Sequence, residues 1–158
     1  MERINKIYNS EIYRRELVYI TNDEKNRIYC RHNLEHFLDV ARIAYIINLE
    51  QNLGYDKEVI YAIGLLHDIG RHKEYENGAN HHIASANLAE IILKDAGFNT
   101  EEISMIYDAI ISHRNKTSKN KLNEIIYAAD KISRKCYSCV ALDTCKWSNN
   151  KKNKEITI

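Results

Sequence analysis

The stretch Leu65-Leu66-His67-Asp68-Ile69-Gly70 decides the fold, because it puts a histidine and an aspartate at the end of an apolar helix. Asp56 is a typical N-terminal cap for that helix, and Gly70 is a typical stop signal. Neighbouring residues on a helix point about 100° apart. His67 and Asp68 can therefore share a ligand most easily near a helix end, where Gly70 permits a kink.

The rest of the chain is also predicted to be helical. It contains no proline and only five glycines, and so few helix breakers favour long helices joined by modest loops. Leu34, Leu38, Ala41 and Tyr45 recur every three to four residues, which is the spacing of an amphipathic helix. The sequence predicts an all-α bundle of five or more core helices. These cover about residues 2–20, 33–51, 56–68, 82–96, 99–113 and 122–135, with loops at 78–80 and 115–120.

Length and composition indicate one domain over residues 1–158, with a core at about 29–135 and a cysteine-containing tail at 136–158. Lys and Arg number 23 and Asp and Glu number 22, so the net charge of +1 does not suggest a nucleic-acid or membrane partner. The sequence shows no apolar run of transmembrane length and no signal peptide, so we expect a cytoplasmic protein.

Four side chains on three different predicted helices are candidate metal ligands. Asp130 interrupts the apolar stretch 127–131, and a buried aspartate is costly unless it is paired or binds a metal. The alternative is that each residue is only a helix cap, a surface group or the partner of a nearby arginine. Two imidazoles and two carboxylates would suit Mn, Fe, Co, Ni or Zn. The candidate set is His36, His67, Asp68 and Asp130.

The order of these residues, with their neighbours, resembles the HD-domain superfamily of metal-dependent phosphohydrolases. The matching motifs are residues 34–42 around the first histidine, the His67-Asp68 pair, residues 81–86 and residues 128–131. The resemblance implies an all-α fold with the metal between helices. It also implies hydrolysis of a phosphate ester or anhydride, such as that of a nucleotide, by metal-activated water attack.

Further residues have roles that the resemblance suggests. His81 and His113 would hold a second metal ion or contact substrate, and His82 is the alternative to His81. Arg71, His72 and Lys73 directly follow the His-Asp pair and are candidates for phosphate contact, or else form a solvated basic loop. The number of catalytic ions, one or two, stays open.

The cysteines carry a separate prediction. Cys136, Cys139 and Cys145 lie within ten residues, and Cys30 precedes the predicted helix of His36. Four thiolates suit one structural zinc ion, or less readily an iron–sulfur cluster. Free thiols are the alternative in a reducing compartment.

Two classes of function are compatible with these features. The first is an enzyme acting on a small phosphorylated molecule, with neither nucleic acid nor membrane as partner. The second is an HD-fold sensor of nucleotides or redox state that binds metal without turnover. The intact set of metal ligands favours the enzyme, whereas the cysteine cluster is compatible with the sensor. The oligomeric state cannot be read from the sequence.

Overall fold

The computed structural model describes residues 1–113 and 120–158. Within these ranges there are eight α-helices, two short 3-10 helices and no β-strand, so the all-α prediction is confirmed. The helices are α1 Glu2–Asn9, α2 Glu11–Asp23, α3 Leu34–Glu50, α4 Lys57–Leu66, α5 Arg71–Asn77, α6 His81–Ala96, α7 Thr100–Ser112 and α8 Lys121–Ile132. The 3-10 helices are Cys136–Ser138 and Asn149–Lys151.

The core forms where α3 packs against α4 and α8, and where α6 packs against α7. Helices α3 and α4 approach each other very closely at Gly64, since a Cβ atom there would lie 2.6 Å from the Cβ of Ala41. This contact brings the last turn of α4, and with it His67, beside the first turns of α3. None of the described helices has both the length and the apolarity needed to cross a bilayer.

Capping residues define several helix ends as the sequence predicts. The Asp56 carboxylate accepts hydrogen bonds from the backbone N–H groups of Glu58 and Val59 at the start of α4. Asn99 and Glu102 form a reciprocal capping box at the start of α7. The predicted loop at 115–120 lies outside the described residues except for Asn120, whose side chain caps α8.

Two predicted helix boundaries are wrong, and one helix was not predicted. The single helix expected over 2–20 is two helices, because Ser10 is extended (φ −65°, ψ 139°) and its hydroxyl caps α2 by accepting from Tyr13 N–H. Helix α5 was not expected, because its polar sequence shows no apolar periodicity and none of its residues is buried. Helix α8 ends at Ile132 rather than near Lys135.

Candidate metal centre

Asp68 lies at the centre of a cluster of imidazoles contributed by four different parts of the fold. Its Oδ1 lies 3.3 Å from His81 Nε2 and 3.4 Å from His113 Nε2. Its Oδ2 lies 3.6 Å from His32 Nε2 and 3.7 Å from His67 Nε2. Asp130 on α8 lies at one side, with its Oδ1 3.7 Å from His36 Nε2.

The backbone after Asp68 explains why α6 reaches the same cluster. Gly70 N–H donates to the Ser85 hydroxyl at 2.9 Å, and a Cβ atom on Gly70 would lie only 2.4 Å from Ser85 N. Gly70 has a φ of −85°, so glycine is needed here for close approach to α6 and not for a left-handed turn. The first turn of α6, which carries His81, is thereby held against Asp68.

Each of these imidazoles directs Nε2 toward the cluster because its other nitrogen, Nδ1, lies against an acceptor. The Nδ1 atoms of His67 and His113 lie 2.8 Å and 2.6 Å from the carbonyl oxygens of Gly64 and Ile110. The remaining three Nδ1 partners are Glu74 for His81, Glu24 for His32 and Ser133 for His36. A proton held on Nδ1 leaves the Nε2 lone pair available, which is the arrangement that metal-bound histidines adopt.

The ligand atoms form three groups, within each of which all atoms lie within 4.8 Å of one another. One contains His36, His67 and Asp130, and another contains Asp68, His81 and His113. The third joins Asp68 to His32 and His36. The structure therefore brings all four predicted metal ligands into one cluster, together with the two residues proposed for a second ion.

Several polar atoms of this cluster are buried without a hydrogen-bond partner, which indicates that the residues fit a divalent cation. Within the described part of the chain, His36 Nε2, His67 Nε2 and Asp68 Oδ1 are buried and have no hydrogen-bond partner. Orphaned buried acceptors are costly, and convergent ones next to two carboxylates are most simply satisfied by a cation. Imidazole nitrogen with carboxylate oxygen suits Mn, Fe, Co, Ni or Zn.

The electrostatics keep His36, His67 and the two carboxylates in the protonation states that metal binding requires. Burial, reinforced by the neighbouring His67, lowers the pKa of His36 to about 3, so the ring is neutral at pH 7. Burial would raise the pKa of Asp68, but the surrounding histidines outweigh it and hold that pKa well below its usual range. Asp130 behaves in the same way, with its pKa lowered mainly by His67 and Lys131 against the effect of burial. For His113, burial is outweighed by the interaction with Asp68, which raises the pKa of the ring.

His32 belongs to the cluster, although no pattern in the sequence indicates a role for it. Its backbone N–H and its ring Nδ1 both lie 2.6 Å from the carboxylate of Glu24, which is only 3% exposed. Tyr75 donates a third hydrogen bond to the same carboxylate. His32 and His36 are four residues apart, a spacing that places two side chains on one face of a helix. His32 lies before the start of α3, however, so the helical argument does not apply to it.

We expect Glu24→Gln to destabilise the protein in a pH-dependent way. Burial raises the pKa of Glu24, but hydrogen bonds from His32 and Tyr75 outweigh it and lower the pKa to about 2. Because the pKa of Glu24 is lower in the folded state than in the unfolded state, the ionised carboxylate stabilises the fold at pH values above about 4.5. This stabilisation is lost as the pH falls toward 2. Urea denaturation at pH 7 should show a loss on the order of 3 kcal/mol.

The control for this prediction is Glu16→Gln. Glu16 lies on α2, eight residues before Glu24, and is equally buried, but its carboxylate contacts Arg15 rather than a histidine. The difference in unfolding free energy between wild type and Glu24→Gln should shrink steadily below pH 4.5. A difference that stays constant from pH 7 to pH 3 would show that Glu24 does not act through its charge.

Only one of the three basic residues after the His-Asp pair reaches the cleft. The Arg71 guanidinium lies beside the centre, with Nη1 3.7 Å from Asp68 Oδ2, and lines the cleft. Lys73 pairs with Glu76 on an exposed face of α5, and His72 contacts Asp23. The structure does not bring these two to the centre, because successive residues of a helix point in different directions.

The cysteines are grouped less tightly than the histidine and aspartate ligands. Partial desolvation, with a contribution from the nearby Cys136 and Cys139, raises the pKa of the Cys30 thiol. Cys136 is buried, Cys30 is exposed, and Cys139 and Cys145 are partly buried. None of the three groups of ligand atoms found among the described residues includes a cysteine. A structural zinc ion or iron–sulfur cluster at these thiols stays a prediction.

The chain is similar to several known proteins. A protein from Clostridium beijerinckii named only as uncharacterized is 47% identical over 156 residues, which is 99% of each chain. Ribonuclease Y of Mycoplasma mycoides is 32% identical over 120 residues, which is 75% of this chain and 22% of that enzyme. Ribonuclease Y of Lactobacillus gasseri is 30% identical over 120 residues, again 75% of this chain but 20% of that enzyme. No solved structure matches.

The chain spans about a fifth of the length of these ribonucleases. The profile of the HD domain matches residues 33–135, from the cap of α3 to just beyond the end of α8. That range includes helices α3 to α8 in full and all six predicted metal-centre residues. This chain therefore belongs to the HD-domain superfamily of metal-dependent phosphohydrolases.

Proposed function

We propose that the chain hydrolyses a phosphate ester or anhydride of a nucleotide. One observation carries this proposal: five histidines present Nε2 atoms to Asp68 and Asp130 at the base of an open cleft. Membership of the HD-domain superfamily supports the reaction class. We further propose that the chain acts as one domain, in the cytoplasm, on a small molecule rather than on nucleic acid or a membrane.

His36, His67, Asp68 and Asp130 would hold one divalent ion, and Asp68 could share a second ion with His81 and His113. When bound, such ions lower the pKa of a coordinated water and polarise a phosphoryl oxygen. The chain's own contribution is to fix the ligands through their Nδ1 hydrogen bonds. Arg71 would bind phosphate oxygens at the cleft and stabilise the charge that develops in the transition state.

A phosphodiester of RNA is a second candidate substrate, because the relatives from Mycoplasma mycoides and Lactobacillus gasseri are named Ribonuclease Y. The net charge of +1 offers little attraction for a long polyanion and favours the small molecule. The third possibility is the sensor that binds metal without turnover.

The test is a hydrolysis screen of the purified protein with Mn²⁺, Co²⁺ or Ni²⁺. The substrates are nucleoside mono-, di- and triphosphates, cyclic nucleotides and a short single-stranded RNA. We expect a metal-dependent release of phosphate or nucleoside that EDTA abolishes and added metal restores. Cleavage of RNA alone would favour the second candidate, and no turnover with any substrate would contradict the enzymatic proposal and leave the sensor.

A further inference from the structure

Trp147 and Arg134 form an aromatic and cationic pair at the wall of the catalytic cleft. Both residues line the cleft that contains His36, Asp68 and Asp130. The Arg134 guanidinium carbon lies 4.3 Å from the centroid of the Trp147 ring, which is a cation–π contact. The ammonium group of Lys151 also lies over this ring, 5.2 Å from the centroid, and Trp147 is still 43% exposed, so part of its surface is open to a ligand.

The tail that carries Trp147 is fixed to the same helix end that follows Asp130. The side-chain nitrogen of Asn153 lies 2.7 to 3.0 Å from the carbonyl oxygens of Lys131, Ile132 and Arg134. Tyr29 O–H donates to the Thr144 carbonyl at 3.1 Å and joins the tail to the segment before α3. The ring is thus held in position relative to the metal centre.

The charges around the cleft are unevenly neutralised. The lysines are paired, Lys131 with Asp130 and Lys135 with Glu35 and Asp39. Among the described residues, the lining residues Arg27, Arg31 and Arg134 form no ion pair with a carboxylate. Arg27 and Arg31 donate to backbone carbonyl oxygens, and Arg134 lies over the Trp147 ring. Unneutralised guanidinium groups around a phosphohydrolytic centre are suited to phosphate oxygens, which they bind through paired N–H donors.

We propose that Trp147 and Arg134 form a subsite for the base of a nucleotide, with its phosphate directed toward the histidine and aspartate centre. The subsite rests on the proposed function and deepens it, because it selects nucleotides over phosphate esters that have no base. The cleft volume of about 290 Å³ lies at the lower end for ligand pockets, which favours a mononucleotide over a nucleic-acid strand. Aromatic stacking tolerates different bases, so the subsite should favour compounds that contain a base without discriminating among the bases.

The binding test uses fluorescence, because Trp147 is the only tryptophan in the chain. The metal-loaded protein is mixed with AMP or with ribose 5-phosphate in a stopped-flow instrument, so that binding is read before turnover. We expect AMP to quench the emission saturably and ribose 5-phosphate to leave it unchanged. Equal responses to the two compounds, or quenching by single-stranded RNA but not by AMP, would overturn the proposal.

The kinetic test compares Trp147→Ala with Trp147→Phe. Trp147→Ala should raise KM for the nucleotide about 5- to 150-fold and change kcat little, as expected for the loss of one stacking contact. Trp147→Phe should restore most of the affinity, and neither change should affect any turnover of ribose 5-phosphate. The control is Tyr137→Ala, since Tyr137 is an equally exposed aromatic residue of the same tail but does not line this cleft.

The two proposals fail in different ways. If AMP quenches Trp147 but no substrate is hydrolysed, the base subsite stands and the enzymatic function is wrong. If nucleotides are hydrolysed but KM is unchanged in Trp147→Ala, the function stands and the subsite is wrong.

Discussion

Replacing Asp68 by asparagine is expected to lower kcat/KM by about 10³-fold or more, equivalent to about 4 kcal/mol of transition-state stabilisation. Asn keeps the shape of the side chain but removes the negative charge around which the imidazoles are arranged. Asp68 belongs to two of the three groups of possible ligand atoms, so no other residue can replace it in both. The metal content should fall together with the activity.

The matched control is Asp39→Asn. Asp39 also lines the cleft, but its carboxylate pairs with Lys135 at 3.0 Å and belongs to none of the ligand groups. It should keep the wild-type metal content and an activity within about twofold, as expected for a surface ion pair. Asp68→Asn with unchanged metal content and turnover would contradict the assignment of the centre.

Elemental analysis of these proteins also tests the cysteine prediction. Protein purified without oxygen should contain about one zinc ion beyond those of the His and Asp centre if the thiols form a closed structural site. That zinc should persist in Asp68→Asn, because the two sites share no ligand. Four freely titrating thiols and no additional metal would contradict the prediction.

The sequence predicts those parts of the fold that depend on local patterns. Apolar periodicity found α3, α4, α6 and α7, because each buries one continuous stripe against its neighbours. It failed at α5, whose residues are stabilised by contacts with distant groups, such as the pairing of His72 with Asp23 on α2. The break at Ser10 was missed because the apolar spacing continues across it.

Prediction of the site is likewise limited to features that local sequence patterns show. Four ligands could be recognised because they occur in a fixed order with characteristic neighbours. His32 could not, since its role depends on Glu24, which lies eight residues earlier, just after the end of α2, and reaches it only in the folded chain. The position of Trp147 likewise depends on Asn153 binding the carbonyl groups after α8, and no sequence periodicity records such a contact.

The second large effect is expected from His113→Ala, which should reduce the metal content from about two ions per chain to about one. His113 Nδ1 lies 2.6 Å from the Ile110 carbonyl, and its Nε2 lies 3.4 Å from Asp68 Oδ1. Its ring therefore presents one nitrogen to the ligand group that Asp68 forms with His81. A second ion contributes several kcal/mol to charge stabilisation, so kcat should fall by about 10²-fold or more.

His82→Ala is the matched control for this prediction. The His82 ring lies 5.8 Å from that of His81 and 6.2 Å from that of His113, but His82 belongs to none of the ligand groups. It should therefore keep both ions, whereas His81→Ala should behave like His113→Ala. A wild-type protein that binds one ion, and keeps it in His113→Ala, would show that His81 and His113 contact substrate instead. In that case kcat should still fall in both variants, because the two rings face the carboxylate at the centre of the cleft.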